Sequence, residues 1–389
     1  MLNRKIIIVN DGLGPNKGDQ AILQAMLHDI RNRMPNLDVV IFPNSHLRSI
    51  RLYRQYWINL RQADLLVFGG GQELQDHVSL AFLISGLLKI ILARLQHRKI
   101  MCYALGVGPV ATRLGKLLLR LILNRVDIIT LRDEDSLILL RTLKVEKPPI
   151  HVTADPAITL LAADNHRIRE INGIEGIGDK HHPKIAVAPR RWFHYNHYLL
   201  PMSLHARFHH LRGREDFSKL IKILAEIADY LINTLQSQIV FVPMRAASTG
   251  KDPGQDDDLV SQEIIDAMHY KENAILLRGN YNPGELKGLL GKMDMVIGMR
   301  MHALIMASMM KVPVIGLNIS PKFPAFLRMI GQEKYLIEPE GLSRSKFIST
   351  VNQLWKEREE IRAALATRCE ILQYLALHNC EYLSQLLNN

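Results

Sequence analysis

The stretch KIIIVNDGLGPNKGDQAILQAML, residues 5–27, decides the fold class. Its apolar run of four, Ile6 to Val9, is far too short for the core of a signal peptide and has the length of a buried first strand. A glycine-bearing loop follows and leads into a helix, whose exposed amino-terminal N–H groups can hold an anion. The same alternation of short apolar run and helical pattern continues through DVVIF (38–42), LLVF (65–68), KIMCYAL (99–105) and DIITL (127–131). That is the pattern of a parallel α/β sheet. A polar, glycine-bearing stretch follows Pro156, and strands resume with KIAVAP (184–189), QIVFVPM (238–244), AILLRG (274–279), MVIGM (295–299) and VPVIGL (312–317).

The expected organisation is therefore α/β: two Rossmann-like domains facing a central cleft, at 1–165 and 183–340, and two amphipathic carboxy-terminal helices within 343–389 without a further strand. Ligands of such sheets bind beyond the carboxyl ends of the strands. Length and composition agree. The 389 residues are 48% apolar and 22% charged with a mean hydropathy of zero, too long for one core and unlike collagen, coiled coil or disordered chain. Three scattered cysteines, Cys102, Cys369 and Cys380, provide neither a disulfide framework nor the spacing of a zinc site, so no metal is expected and a reducing cytoplasm fits.

The net charge of +11 calls for an anionic partner. Residues 1–150 hold 21 basic and 12 acidic side chains, and the rest of the chain holds 28 and 26. Between Val78 and Val126 there are eight basic residues and no acidic one, on two apolar helix-like segments. Two readings stand side by side: a solvated outer face over a leucine core, or a surface resting on the anionic inner face of the cytoplasmic membrane. The longest apolar stretch, Leu80 to Leu95, is broken by Lys89 and Arg94 and is too short to span a bilayer. Nucleic acid is disfavoured, because this basic segment has just two aromatics, Phe82 and Tyr103, on which bases could stack.

Candidate site residues fall after strands. Gly12, Gly14 and Gly18 are spaced one residue too far apart for a dinucleotide fingerprint, and no phosphate loop of the G-x-x-x-x-G-K-[ST] type occurs. Asp19 either caps the first helix or binds a sugar hydroxyl. In FGGGQELQD (68–76), Gly70 and Gly71 either make a tight turn or let a ligand approach the backbone, and Glu73 and Asp76 are candidate hydroxyl binders or bases. GVGP (106–109) and RDEDS (132–136) also follow strands, the acidic run having a second reading as a helix start. In the second half, Arg190 and Arg191 in APRRW, Arg245 in FVPMR, Arg300 and His302 in GMRMHALIMA, and Lys322 in SPKF all follow strands. Guanidinium forks suit carboxylates and phosphates. A lone histidine is more often a core or capping residue, but His302 has cationic company.

Together with NKGDQAIL and TADPA (153–157), these motifs resemble the polysaccharide pyruvyl transferase family, in order, from about residue 8 to residue 330. The resemblance implies a fold similar to GT-B glycosyltransferases and transfer of pyruvate from phosphoenolpyruvate to a saccharide as a ketal, in cell-surface glycan biosynthesis, without a cofactor. The family's general-acid histidine falls on His302, its phosphoenolpyruvate-binding arginine on Arg191, with Arg190 immediately beside it, and its lysine on Lys322. Arg190, Arg300, Arg245, Asp19, Gly70, Gly71 and Asp76 are the expected substrate binders. The expected partners are phosphoenolpyruvate, a saccharide acceptor whether free or lipid-linked, and the anionic membrane. The His-rich segment 192–210 matches no family motif. The alternative function is a nucleotide-sugar glycosyltransferase, which shares the two-domain architecture.

Overall fold

The computed structural model describes residues 4–44, 50–71, 74–76, 79–178, 182–191, 214–245, 256–320, 322–339 and 341–388. The first lobe runs β1 (Lys5–Val9), α1 (Lys17–Arg33), β2 (Asp38–Phe42), α2 (Ile50–Gln62), β3 (Leu65–Gly69), α3 (Leu80–Leu95), β4 (Lys99–Leu105), α4 (Arg113–Leu123), β5 (Ile128–Leu131), α5 (Glu134–Thr142) and β6 (Ile150–Val152). A 3-10 turn, Pro156–Thr159, and α6 (Asn165–Glu175) lead to the second lobe. That lobe contains β7 (Lys184–Ala188), α7 (Arg214–Leu235), β8 (Gln238–Phe241), α8 (Asp257–Ala267), β9 (Ala274–Leu276), α9 (Pro283–Leu290), β10 (Met295–Gly298), α10 (Met301–Met309), β11 (Val314–Leu317), α11 (Lys322–Met329) and β12 (Leu336–Ile337). The chain ends in α12 (Arg344–Asn388).

Each lobe is built on a six-stranded sheet, in the order β2-β1-β3-β4-β5-β6 and β12-β11-β10-β7-β8-β9, and every pair is parallel. Parallel strands are covered on both faces, which is why their sequences are unbroken apolar runs. In β1, Ile6 and Ile8 enter one core and Ile7 and Val9 the other, all four fully buried. Both sheets reverse their strand order once, between β1 and β3 and between β7 and β10. Crevices for ligands open at such reversals.

Three expectations are corrected. β6 and β12 were not foreseen: β6 is interrupted by His151 and β12 has two residues, so neither forms an apolar run. QIVFVPM leaves the sheet at Phe241, three residues earlier than its apolar run ends. The carboxy-terminal segment forms one helix of 45 residues rather than two. It contains no glycine or proline to interrupt it, and its buried residues from Phe347 to Leu387 form a continuous stripe.

Helix α12 straps the lobes together. Its first half meets the second lobe through Tyr230 to Asn352 (3.0 Å) and Arg362 to Asp294 (3.2 Å). Its second half meets the first lobe, where buried Asn379 accepts from Thr153 Oγ1 (2.8 Å) and donates to the Ala154 carbonyl (3.1 Å). Near the hinge, Lys287 Nζ donates to the carbonyls of Ile158 (3.2 Å) and Leu160 (2.6 Å). Across the cleft, the Lys17 N–H donates to the Met244 carbonyl (2.8 Å), and Asn16 and Arg245 form an antiparallel bridge.

Candidate active site

The two sheet reversals face each other, and the groups between them come from both lobes. Strand β10 delivers Arg300 and His302 at the start of α10, a helix buried along its whole length. The His302 ring lies against the first turn of α1 in the other lobe. A Cβ on Gly18 would overlap Nδ1 of that ring, so glycine is what lets the two helix starts touch. His302 is about nine-tenths buried, and its Nε2 lies 3.7 Å from Asp155 Oδ2. That separation is an ion-pair distance, too long for a hydrogen bond, and Nε2 is a buried nitrogen without a hydrogen-bond partner among the described residues.

Asp155 follows β6 and is itself fixed. Its Oδ1 accepts from the Ala157 N–H (3.0 Å) and its Oδ2 from Arg132 Nη1 (3.2 Å). Burial alone would raise its carboxyl; His302, Arg132 and the Ala157 N–H outweigh burial and hold it below the usual carboxylate value. Arg132, which follows β5, reaches Asp155 by crossing Gly106, where a Cβ would come within 2.7 Å of the guanidinium. It also pairs with Asp133 at 3.5 Å.

On the near side of the ring, Asn16 caps α1 by accepting from the Gly18 N–H (3.0 Å). Asp19 is thereby relieved of capping, accepts from Asn16 Nδ2 (2.8 Å), and turns toward His302 and Lys322. Burial, reinforced by Asp11, raises its carboxyl pKa against the opposing pull of His302 and Lys322. Lys322, at the start of α11, is pushed down to about 7 by burial and by the positive charges of Arg132, Arg190 and Arg300, with Asp19 opposing. Six strand ends therefore bring Asp19, Arg132, Asp155, Arg190, His302 and Lys322 together (β1, β5, β6, β7, β10 and β11).

Other candidates are placed differently. Arg191 turns away: it is paired with Glu263 and lies 5.0 Å from the centroid of the Phe217 ring, which ties it to α8 and α7. Arg300 is held in a two-point pair with buried Asp257, Nε to Oδ2 at 2.8 Å and Nη2 to Oδ1 at 2.5 Å. Asp257 also accepts from the Met244 N–H (3.1 Å) and donates its own N–H to the Arg245 carbonyl (3.0 Å). The pair thus locks the ends of β8 and β10 beside the cleft, and Arg245 has its backbone pinned there. Asp76 is fully buried, accepting from the N–H groups of Ala111 (2.7 Å) and Thr112 (2.9 Å) and from the Thr112 hydroxyl. It fastens the start of α4 and does not face His302. Gly70, at φ 93°, donates its N–H to the Tyr103 carbonyl (2.7 Å), and Gly71 accepts from the Gly106 N–H (2.9 Å). A Cβ on Gly70 would meet Met26 and Ile22 of α1, so that turn is a packing requirement. Glu73 and the His-rich segment 192–210 lie outside the described residues.

Sequence reasoning gave no individual role to Arg132 or Asp155. Both sit in strand-end motifs, RDEDS and TADPA, and their place immediately beyond strands of a parallel sheet is the signal that points to them.

The sequence model of the polysaccharide pyruvyl transferase family matches residues 16–321, a span that contains every residue of this cluster except Lys322, which lies one position beyond. The chain belongs to that family. Among solved structures, this pyruvyl transferase family member is similar to Anabaena Alr3699/HepE in complex with UDP-glucose, at 13% identity over 99% of both chains with a TM-score of 0.59. It is also similar to the UDP-GlcNAc 2-epimerase of Neisseria meningitidis bound to UDP-GlcNAc, at 14% identity over 99% of this chain and 100% of that one, TM-score 0.62. At such identities the likeness is one of fold, and that fold is of the GT-B type. No curated protein matches the sequence.

Proposed function

We propose that this transferase moves pyruvate from phosphoenolpyruvate onto two hydroxyls of a saccharide, forming a cyclic ketal and releasing phosphate. The observation that carries the reading is His302: a buried imidazole whose Nε2 has no hydrogen-bond partner among the described residues, set among cations at the meeting point of the strand ends. Phosphoenolpyruvate has a carboxylate and a phosphate, which Arg190, Lys322 and Arg132 suit by charge. Arg190, whose charge acts on Lys322, is assigned the donor contact expected of Arg191, which pairs with Glu263. Arg300 acts by fixing the entry to α10 through Asp257.

The chemistry follows from those placements. His302 donates a proton to C3 of the donor, which leaves C2 electrophilic, and the cations hold the donor's carboxylate and phosphate and stabilise the negative charge that grows on the phosphate as it departs. One acceptor hydroxyl attacks C2 and its proton restores His302. The C2–O bond to phosphate then breaks, and a second hydroxyl closes the ketal while its proton leaves on the phosphate. Asp155 orients the imidazole from one side. Asp19, on the other side, binds the acceptor hydroxyl and relays its proton.

The test is phosphate release from phosphoenolpyruvate across a panel of acceptors, free nucleotide sugars and lipid-linked saccharides included, with nucleotide release from sugar nucleotides measured in parallel. The expected result is acceptor-dependent phosphate release that falls on the order of 10²–10⁴-fold in His302→Ala. Nucleotide release without phosphate release would instead assign the chain to nucleotide-sugar transfer.

A further inference from the structure

The outer side of the first lobe carries a surface that the reaction does not use. Helices α3 and α4 pack side by side there, with Leu83 of α3 beside Gly115 of α4. Their inner sides, Leu83, Leu87 and Ile90 on one and Leu119, Ile122 and Leu123 on the other, are buried against the sheet. Yet apolar residues also line the outside. Ile84, Leu88, Ile91 and Leu95 form a row on α3, and Leu114, Leu117 and Leu121 form a row on α4, all exposed, Leu95 at 64% and Leu117 at 50%. Single exposed leucines need no explanation, but two neighbouring rows at helical spacing make a contiguous patch.

Basic residues share that face instead of opposing it. On α4 the exposed residues are Arg113, Leu114, Lys116, Leu117, Arg120 and Leu121, so a stripe of cations and a stripe of leucines lie side by side on its exposed side. Arg125 adds to the rim, Arg94 is paired with Asp127 (3.7 Å), and no acidic residue occurs between Ser79 and Val126. The bland reading, leucines inward and cations outward, accounts for the buried rows and leaves the exposed ones unexplained. The core of a protein interface is depleted of charge, and nucleic acid does not call for rows of leucine. The headgroup boundary of an anionic bilayer accepts both, leucines among the acyl chains and cations at the headgroups.

We infer that the outer face of α3 and α4 docks this enzyme on an anionic bilayer. No helix among the described residues is long and apolar enough to cross a membrane, so the contact is peripheral. Both helices leave the carboxyl edge of their sheet, which puts their amino ends on the cleft side, and Asp76 fastens the start of α4 to the chain beyond β3. The patch therefore runs outward from the rim of the cleft, and docking sets that rim beside the bilayer surface.

Co-sedimentation of the purified full chain with vesicles tests this independently of catalysis. Binding is expected to vesicles of phosphatidylcholine with added phosphatidylglycerol, not to phosphatidylcholine alone, and to weaken with salt. In K116Q/R120Q, partitioning falls about 30-fold, roughly fivefold for each cation removed. In L117D/L121D it is lost, while the thermal melting curve stays that of the parent. Equal binding to both vesicle types, absence of binding to either, or unchanged binding by both variants overturns the proposal. So does a concentration-dependent dimer of the parent that Leu117→Asp dissociates in sedimentation velocity, because the face then belongs to a second copy of the chain.

Discussion

His302 owes its position to a side chain that is missing. Gly18 admits the ring, Asn16 takes over capping, and Asp19 is left with a carboxylate turned inward. Lys322 supplies the group whose charge responds to pH in the working range. Burial first, then Arg132, Arg190 and Arg300, bring it down to about 7, so it is cationic below that pH and neutral above it. The donor of the proposed reaction is anionic, so loss of this charge would weaken its binding. We expect kcat/KM for phosphoenolpyruvate to fall about tenfold between pH 6 and pH 8. Lys322→Arg keeps the charge throughout, so its profile over that range should be flatter than that of the parent; parallel profiles would mean that Lys322 does not meet the donor. Folding responds with the opposite slope: the unfolded lysine retains its proton up to about pH 10.4. Between pH 7 and that value the unfolded chain binds more protons, and this residue's contribution to stability rises with pH.

At the scale of elements, the strand-end segments divide into those that hold reacting groups and those that hold one another. Asp76 belongs to the second kind, a carboxylate that binds three donors at the start of α4. Asp76→Ala leaves those donors without their acceptor, and we expect a loss of about 3 kcal/mol in urea unfolding with kcat nearly preserved. A base would show the reverse, undisturbed folding and a rate loss on the order of 10²–10⁴. The elements themselves were legible in the sequence because strands covered on both faces are unbroken apolar runs, and β6 and β12 escaped because His151 interrupts the one and the other has only two residues. The site was legible in part. His302, Lys322 and Asp19 follow strands and face one another as that placement suggests. Arg190 and Arg191 could not be told apart, since neighbours on an extended segment point to opposite sides, and the partner that claims Arg191, Glu263, is 72 residues away. Asp155 escaped for a similar reason: its role depends on a histidine in the other lobe.

At the scale of the whole molecule, α12 is the element that belongs to both lobes. Its buried Asn379 meets Thr153 and Ala154 just before Asp155, so the helix also steadies the segment that carries that carboxylate. Asn379→Ala leaves the Thr153 hydroxyl and the Ala154 carbonyl without this partner. It should cost about 1–3 kcal/mol in urea unfolding. A change below the error of that measurement would show that the strap holds through its apolar stripe alone.

The contact between His302 and Asp155 joins residues from different lobes, and Gly18 meets the ring from the same lobe as Asp155. Parting the lobes would separate His302 from both Asp155 and Asp19. The cluster is therefore complete only while the lobes are together, and in the proposed reaction a donor held by the second lobe alone meets His302 without its carboxylates. In the reaction proposed above, that requirement guards a reactive enol phosphate from being spent on water before a sugar arrives.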